Sequence, residues 1–195
     1  MKILFIRHGQ TQYNFDRRWS GSTDIDVCEN GINLLKQRKN LFDKYRNNIQ
    51  KLYASPMKRC IQTSNVYFPE KDIIKIEELR ERDFGYWEGK SYEEVQSTKE
   101  YAEFARSEWH SNVPEGEDYN YFFDRITKGY KKIVDDMIEN NLECTAIVSH
   151  GGVTMGIMSL FEKQKLKMYD YAISNGECFL TSIDKEYSIS IIEKF

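Results

Sequence analysis

Hydrophobic and polar positions follow two periods along this chain, which together predict strands separated by helices. Short continuous apolar runs are typical of strands covered on both faces of a sheet. They predict four strands: Lys2–Arg7, Lys51–Ala54, Asp72–Ile76 and Ala146–Ser149. Two later segments alternate residue by residue and predict a C-terminal hairpin: Glu177–Ile183 and Tyr187–Ile192.

Apolar residues at three- and four-residue steps predict helices between these strands. The helical segments are Glu29–Tyr45, a helix with Ser55 as N-cap and Pro56 at its first position, the weakly patterned Ser91–Trp109, Glu117–Asn141, and a helix from Gly152. This order predicts an α/β fold, a three-layer sandwich with a mainly parallel central sheet, flanking helices and a C-terminal hairpin.

Composition adds few constraints. The 195 residues are 40% apolar and 30% charged, with a net charge of -3, so we expect no nucleic-acid partner. No apolar stretch approaches the length of a membrane span, and four widely separated cysteines are typical of a reducing cytoplasm.

We expect one domain over residues 1–195, with a cap-like helical insertion at about 90–118. Monomer and homodimer both stay open.

Candidate chemistry is concentrated where the predicted strands end. The first strand runs into Arg7-His8-Gly9, and the fourth into Ser149-His150-Gly151-Gly152. Arg59 follows the second strand closely. Ligands in open α/β sheets bind beyond the carboxyl ends of the strands, so we expect these groups to meet.

Two arginines and two histidines suit phosphate chemistry. Arginine presents paired donors to phosphate oxygens, and a neutral imidazole is a nucleophile near neutral pH. A second imidazole can stabilise developing charge, and the glycines allow close approach of a ligand. Protonation of a leaving oxygen needs an acid, for which spacing alone leaves Glu78, Glu81 and Glu88 open.

Five motifs in order carry a family resemblance: "RHGQT" from Arg7, "RWSGSTD" from Arg18, "SPMKRCIQT" from Ser55, "LRERDFG" from Leu79 and "VSHGG" from Val148. With them the chain resembles the phosphoglycerate-mutase-like branch of the histidine phosphatase superfamily, from Lys2 to about Phe179. Gln10, Cys60 and Asp118 depart from the usual pattern, and the change at Asp118 leaves a role for Glu117 open.

The resemblance implies a role for each matching position. His8 would be the nucleophile that forms a phosphohistidine, and Glu81 the general acid and later base. The expected substrate-binding residues are Arg7, Asn14, Ser20, Gly21, Arg59, His150 and Gly151. The resemblance implies neither a metal nor a cofactor.

The expected substrate is a small phosphate monoester. Residues 90–118 hold eight acids against three bases, together with Tyr92, Tyr101, Phe104 and Trp109. An acidic, aromatic cap disfavours polyanions and suits a neutral or aromatic body. The segment "LRERDFGYWEG" also resembles the subgroup of α-ribazole and broad-specificity phosphatases, and this resemblance implies a substrate such as α-ribazole 5′-phosphate. A cofactor-dependent phosphoglycerate mutase is the alternative. An inactive module that binds a phosphorylated ligand is a second one, against which the presence of Glu81 argues.

Overall fold

The computed structural model describes residues 1–107 and 111–195. Its strands are β1 (Lys2–Arg7), β2 (Lys51–Ala54), β3 (Ile73–Lys75), β4 (Cys144–Ser149), β5 (Cys178–Ile183) and β6 (Ile189–Lys194). Its helices are α1 (Gln12–Phe15), α2 (Glu29–Arg38), α3 (Asp43–Arg46), α4 (Lys58–Tyr67), α5 (Tyr92–Val95), α6 (Lys99–Arg106), α7 (Tyr119–Glu139) and α8 (Gly151–Phe161). None of the helices in these ranges has the length and apolar character needed to cross a bilayer.

The six strands form one sheet in the order β3-β2-β4-β1-β5-β6. The four strands β3, β2, β4 and β1 are parallel, whereas β5 pairs antiparallel with β1 and β6 antiparallel with β5. The predicted mainly parallel sheet and the C-terminal hairpin are therefore confirmed.

Side chains of the central strand β1 point alternately to two apolar layers. Ile3 and Phe5 are buried in the layer that contains the inner faces of α7 and α8. Leu4 and Ile6 are buried in the opposite layer, against α2 and α4. Because both faces of the strand are covered, its sequence is a continuous apolar run, and the three-layer sandwich is confirmed.

Two predicted helices differ in their bounds. The segment Glu29–Tyr45 is interrupted by a 3-10 turn at Lys39–Phe42, and Phe42 is fully buried there with its ring 4.2 Å from that of Tyr67. The helix predicted from Ser55 begins at Lys58. Ser55 does not cap it, because its N–H bonds to Val148 O and its hydroxyl bonds to His150.

The weakly patterned segment after Ser91 forms two short helices, α5 and α6, rather than one. Ser91 caps the first helix and Thr98 caps the second, so the hydroxyl of Thr98 begins a new helix where the prediction continues the old one. Trp109, the predicted end of this segment, lies outside the described residues.

The covered strand predicts a large difference between two phenylalanines. Phe5 is 0% exposed and Phe15 is 55% exposed. We expect Phe5→Ala to lower the free energy of unfolding by about 3–5 kcal/mol, and Phe15→Ala to change it by less than about 0.5 kcal/mol. Urea unfolding of the two variants measures this, and equal losses would contradict the assigned layers.

Candidate active site

Parallel pairing of β1 with β4 brings the two glycine-flanked histidines together. Arg7 and Ser149 are partners in the register, and the N–H of His8 donates to Ser149 O at 2.9 Å. The His8 and His150 rings follow directly, with their centroids 5.1 Å apart in an edge-on arrangement. The sheet thus places both imidazoles at one strand edge.

His8 is a buried, neutral imidazole with one available nitrogen. Its Nδ1 lies 2.8 Å from Gly9 O, and because a carbonyl oxygen only accepts, Nδ1 carries the proton. The lone pair is therefore on Nε2. Burial, reinforced by the charges of Arg59 and Arg7, holds the pKa of His8 well below its ordinary value.

Arg59 fixes the second imidazole. Its Nε donates to His150 Nδ1 at 3.2 Å, so the proton of His150 is on Nε2, which donates to Ser55 Oγ at 2.9 Å. Burial first, and then Arg59, lowers the pKa of His150 well below its ordinary value. Both ring nitrogens are bonded internally, so the expected contact of His150 with phosphate requires Nε2 to exchange Ser55 for the ligand.

The guanidinium of Arg59 is fully buried beneath the site. Its Nη1 donates to Thr23 O at 2.9 Å and its Nη2 to Gly21 O at 2.7 Å. With Nε also bonded, one N–H on each terminal nitrogen is left for a ligand. A Cβ on Gly21 would lie 2.1 Å from Arg82 O, so glycine is needed there for close packing. Gly21 supports Arg59 and is not among the residues that line the cleft described next.

An open cleft of about 310 Å³ is lined by residues next to these groups, whereas the buried side chains of His8, Arg59 and His150 are not themselves among its lining residues. Its lining residues are Arg7, Asn14, Arg17, Arg18, Trp19, Ser20, Glu81, Phe84, Tyr92, Gly151, Gly152 and Met155. The Nε of Arg7 and the hydroxyl of Ser20 are buried and have no hydrogen-bond partner among the described residues. Unpaired buried donors are costly, so a ligand with acceptor oxygens would stabilise this arrangement.

Glu81 is the carboxyl group of this cleft, and it is 7% exposed. It accepts from the N–H of Arg82 at 3.0 Å and from the N–H of Gly152 at 2.9 Å. A Cβ on Gly152 would lie 2.5 Å from Glu81 Oε1. Burial raises the pKa of Glu81 against these hydrogen bonds and the two nearby arginines, which favours a protonated carboxyl group.

The other two carboxylates have different surroundings. Glu78 lies 3.8 Å from Lys132 and packs against Gly129 of α7. Glu88 accepts from the backbone N–H groups of Ser22, Thr23 and Phe84, so it joins the loop after α1 to the segment that carries Glu81. Neither side chain lines the cleft.

A partly buried ion pair holds the Glu81 segment in place. Arg125 of α7 donates from Nε and Nη2 to the two carboxylate oxygens of Glu117, both at 2.8 Å. Its Nη1 donates to the carbonyls of Glu78 and Arg80, also at 2.8 Å. Glu117 is therefore a structural partner of the acid-bearing segment, while Asp118 caps α7 by accepting from Tyr121 N–H.

Asn175 is a site residue that the sequence reasoning missed. Its Nδ2 donates to His8 O at 3.0 Å and to Asn14 Oδ1 at 3.1 Å. Asn14 also accepts from the N–H of Thr11, which leaves its own Nδ2 as a donor at the cleft. The only local signal at Asn175 is the Asn-Gly dipeptide, which indicates a turn and says nothing about distant contacts.

The acids of the predicted cap are not among the described residues that line the cleft. Among the described residues of 90–118, the one that lines the cleft is Tyr92. The inner faces of α5 and α6 pack Val95 and Phe104 on Trp87. Glu94 of α5 lies 3.5 Å from Arg18, and Glu93 is close enough to Arg17 for that charge to help lower its pKa, so these acids face the cleft arginines rather than line the cleft. The charged residues at the cleft are instead Arg7, Arg17, Arg18 and Glu81.

Metal ligands are not grouped in the described part of the chain: no three His, Cys, Asp or Glu side chains there are placed to hold an ion. Cys60 packs with Sγ 3.5 Å from His150 Nε2, and burial raises the pKa of this thiol to about 12, so it stays neutral.

The chain is similar to known proteins in sequence and in fold. The model of the histidine phosphatase superfamily (branch 1) matches residues 3–188. A "Probable phosphatase" of Schizosaccharomyces pombe is 30% identical over 178 residues, covering 87% of this chain and 78% of the relative. "Phosphoglycerate mutase-like protein 4" of Arabidopsis thaliana is 26% identical over 170 residues, covering 84% of this chain and 71% of that protein.

Among solved structures, the α-ribazole phosphatase from Shigella flexneri superposes with a TM-score of 0.81 at 22% identity. The match covers 98% of this chain and 96% of that one. YhfR of Bacillus stearothermophilus superposes with a TM-score of 0.79, also at 22% identity, over 97% of this chain and 94% of its own. At these identities the superpositions show a shared fold.

Burial of His8 predicts a specific loss of stability in acid. Below pH 6.5 the unfolded chain binds a proton on His8 that the folded protein excludes, so the free energy of unfolding falls with pH. His8→Asn removes this group. As pH decreases, the free energy of unfolding of the variant should fall less steeply than that of the wild type, by about 1.4 kcal/mol per pH unit, until the pKa of His8 in the folded protein is reached.

Denaturant unfolding of both proteins between pH 8 and pH 5 measures the difference. Glu81, whose raised pKa acts in the opposite direction, is present in both proteins and cancels in the comparison. If the free energies of unfolding of the two proteins change in parallel below pH 6.5, the fold does not hold His8 neutral.

Proposed function

The chain belongs to the histidine phosphatase superfamily, and from that membership we propose that it hydrolyses small phosphate monoesters through a phosphohistidine on His8. One observation supports this most directly: His8 has an unprotonated Nε2 in a buried site that also holds Arg7, Arg59 and a carboxyl group of raised pKa.

In the proposed first step, His8 Nε2 attacks phosphorus and the bond to the ester oxygen breaks. That oxygen takes the proton of Glu81, whose raised pKa favours the protonated form. Arg7 and Arg59 donate to the transferring oxygens, as does Ser20, whose buried hydroxyl is otherwise unpartnered among the described residues. His150 joins them when its Nε2–H leaves Ser55.

In the proposed second step, water attacks the phosphohistidine from the side that the leaving alcohol has vacated. The Glu81 carboxylate takes a proton from this water, the N–P bond breaks, and His8 returns to its neutral state as phosphate forms. No metal or cofactor is part of this route.

We propose an apolar or aromatic body for the substrate, with α-ribazole 5′-phosphate as the first compound to assay. The cleft side chains of Trp19, Phe84, Tyr92 and Met155 favour stacking and apolar burial. The acids of 90–118 that the structure describes do not line the cleft, and Glu94 is paired with Arg18, so they oppose an anionic body less than the charge count alone predicts. Phosphoglycerate mutase activity therefore stays the second candidate.

We expect the wild-type protein to release phosphate from p-nitrophenyl phosphate, and His8→Asn to lower kcat by at least about 10³-fold. Acid-labile phosphate should be trapped on the wild-type protein after a rapid quench and be missing from the variant.

Dialysis against EDTA should leave turnover intact. A folded, stable protein without turnover would favour the inactive binding module, and rapid isomerisation of 3-phosphoglycerate would favour the mutase.

The role of Glu81 predicts a dependence on the leaving group. An alkoxide departs poorly unless it is protonated, whereas p-nitrophenolate needs little help. We therefore expect Glu81→Gln to slow the burst phase for alkyl phosphates about 10²-fold more than for p-nitrophenyl phosphate. Slow hydrolysis of the phosphohistidine should follow in both cases.

Glu78→Gln is the matched control, since Glu78 belongs to the same segment but lies outside the cleft. Rapid-quench measurement of the burst phase and of the steady-state rate, with alkyl and aryl esters, distinguishes Glu81→Gln from Glu78→Gln. Equal losses for alkyl and aryl esters in Glu81→Gln would show that another group is the proton donor.

A further inference from the structure

Arg17 is a cationic side chain of the cleft for which the proposed reaction has no use. Arg7 lies beside Gly151, and Arg18 is bonded to Gly89 O at 2.8 Å and to Glu94 at 3.5 Å. Arg17 is among the residues that line the same cleft, and its guanidinium has neither a hydrogen bond nor an ion pair among the described residues. Its charge acts weakly on Glu93 without forming an ion pair.

The backbone at Arg17 favours a different residue. Helix α1 ends in a Schellman motif, in which Arg17 N–H bonds to Asn14 O at 3.3 Å and Arg18 N–H to Tyr13 O at 2.7 Å. Arg17 occupies the left-handed position of this motif, with φ 54°. Glycine adopts that conformation without steric cost, and an arginine does not. Local structure therefore does not account for arginine at this position.

We propose that Arg17 binds a second anionic group on the substrate, at the opposite end of the substrate body from the phosphate. This rests on the proposed function and narrows its substrate class. The preferred substrate is a monophosphate with an apolar or aromatic body that carries a carboxylate or another anion. Phosphate is held by Arg7 and Arg59 at the strand ends, the body lies against Trp19 and Tyr92, and the second anion meets Arg17.

Matched pairs of aryl phosphates test this directly. Each pair differs only in a carboxylate or its uncharged amide: 4-carboxyphenyl with 4-carbamoylphenyl phosphate, and 4-(carboxymethyl)phenyl with 4-(carbamoylmethyl)phenyl phosphate. We expect the wild-type protein to favour the carboxylate of at least one pair about tenfold in kcat/KM, the size of a charge-assisted hydrogen bond.

Arg17→Gly should abolish this preference and, at the same time, raise the melting temperature by about 2–4 °C, because the left-handed residue is no longer strained. Arg17→Lys should keep part of the preference. Arg106→Gln removes an exposed arginine that does not line the cleft, and it should leave the preference unchanged.

Equal kcat/KM values within both pairs, or a preference that survives in Arg17→Gly, would overturn the proposal.

If none of the esters is hydrolysed, the proposed function fails and binding still tests Arg17. In that case calorimetry compares 4-carboxyphenylphosphonate with 4-carbamoylphenylphosphonate on the wild-type protein and on Arg17→Gly. Tighter binding of the carboxylate that is lost in the variant supports the proposal, and equal binding overturns it.

Discussion

The parallel pairing of β1 with β4 is the constraint on which the rest of the site depends. Because Arg7 and Ser149 are register partners, the residues that follow them, His8 and His150, are neighbours. A shift of one residue would turn Ile3 and Phe5 toward the wrong layer and reverse the direction of Arg7. The same apolar packing that stabilises the sheet therefore fixes the geometry of the imidazole pair.

Burial sets the electrostatic state of this site more than any single charge does. Desolvation is the largest cause of the lowered pKa values of His8 and His150 and of the raised pKa of Glu81. The folded site consequently holds uncharged imidazoles beside two permanent cations, Arg7 and Arg59. The imidazoles do not balance the positive charge of the arginines, so the site favours an anion. A phosphate group has oxygens that can accept from the remaining donors of the site.

The sequence predicts the structure best where a local pattern has a single structural explanation. The apolar runs predict the central strands, and the strand ends predict that His8, His150, Arg7 and Arg59 lie close together. Glu81 could be separated from Glu78 and Glu88 only through the family motif, because spacing along the chain does not say which carboxyl group is buried.

Contacts between distant segments were beyond such reasoning. Asn175 supports His8 from 167 residues away, and the Glu117–Arg125 pair holds a segment that neither residue belongs to. The side chains that line the cleft cannot be read from the composition of residues 90–118 for the same reason. Their identity depends on which face of each short helix is used for packing, and the charge count does not record this.

The small aromatic cluster around Trp87 has a consequence for how this protein can change over generations. Its buried members, among them Phe84, Val95 and Phe104, form a core separate from the two layers that cover the sheet. Substitutions of Val95 or Phe104 in this satellite core can reshape the wall of the cleft through Phe84, which lines it. Phe84 itself packs beside Gly21, whose carbonyl holds Arg59, so the variation open to selection lies at Val95 and Phe104 rather than at Phe84.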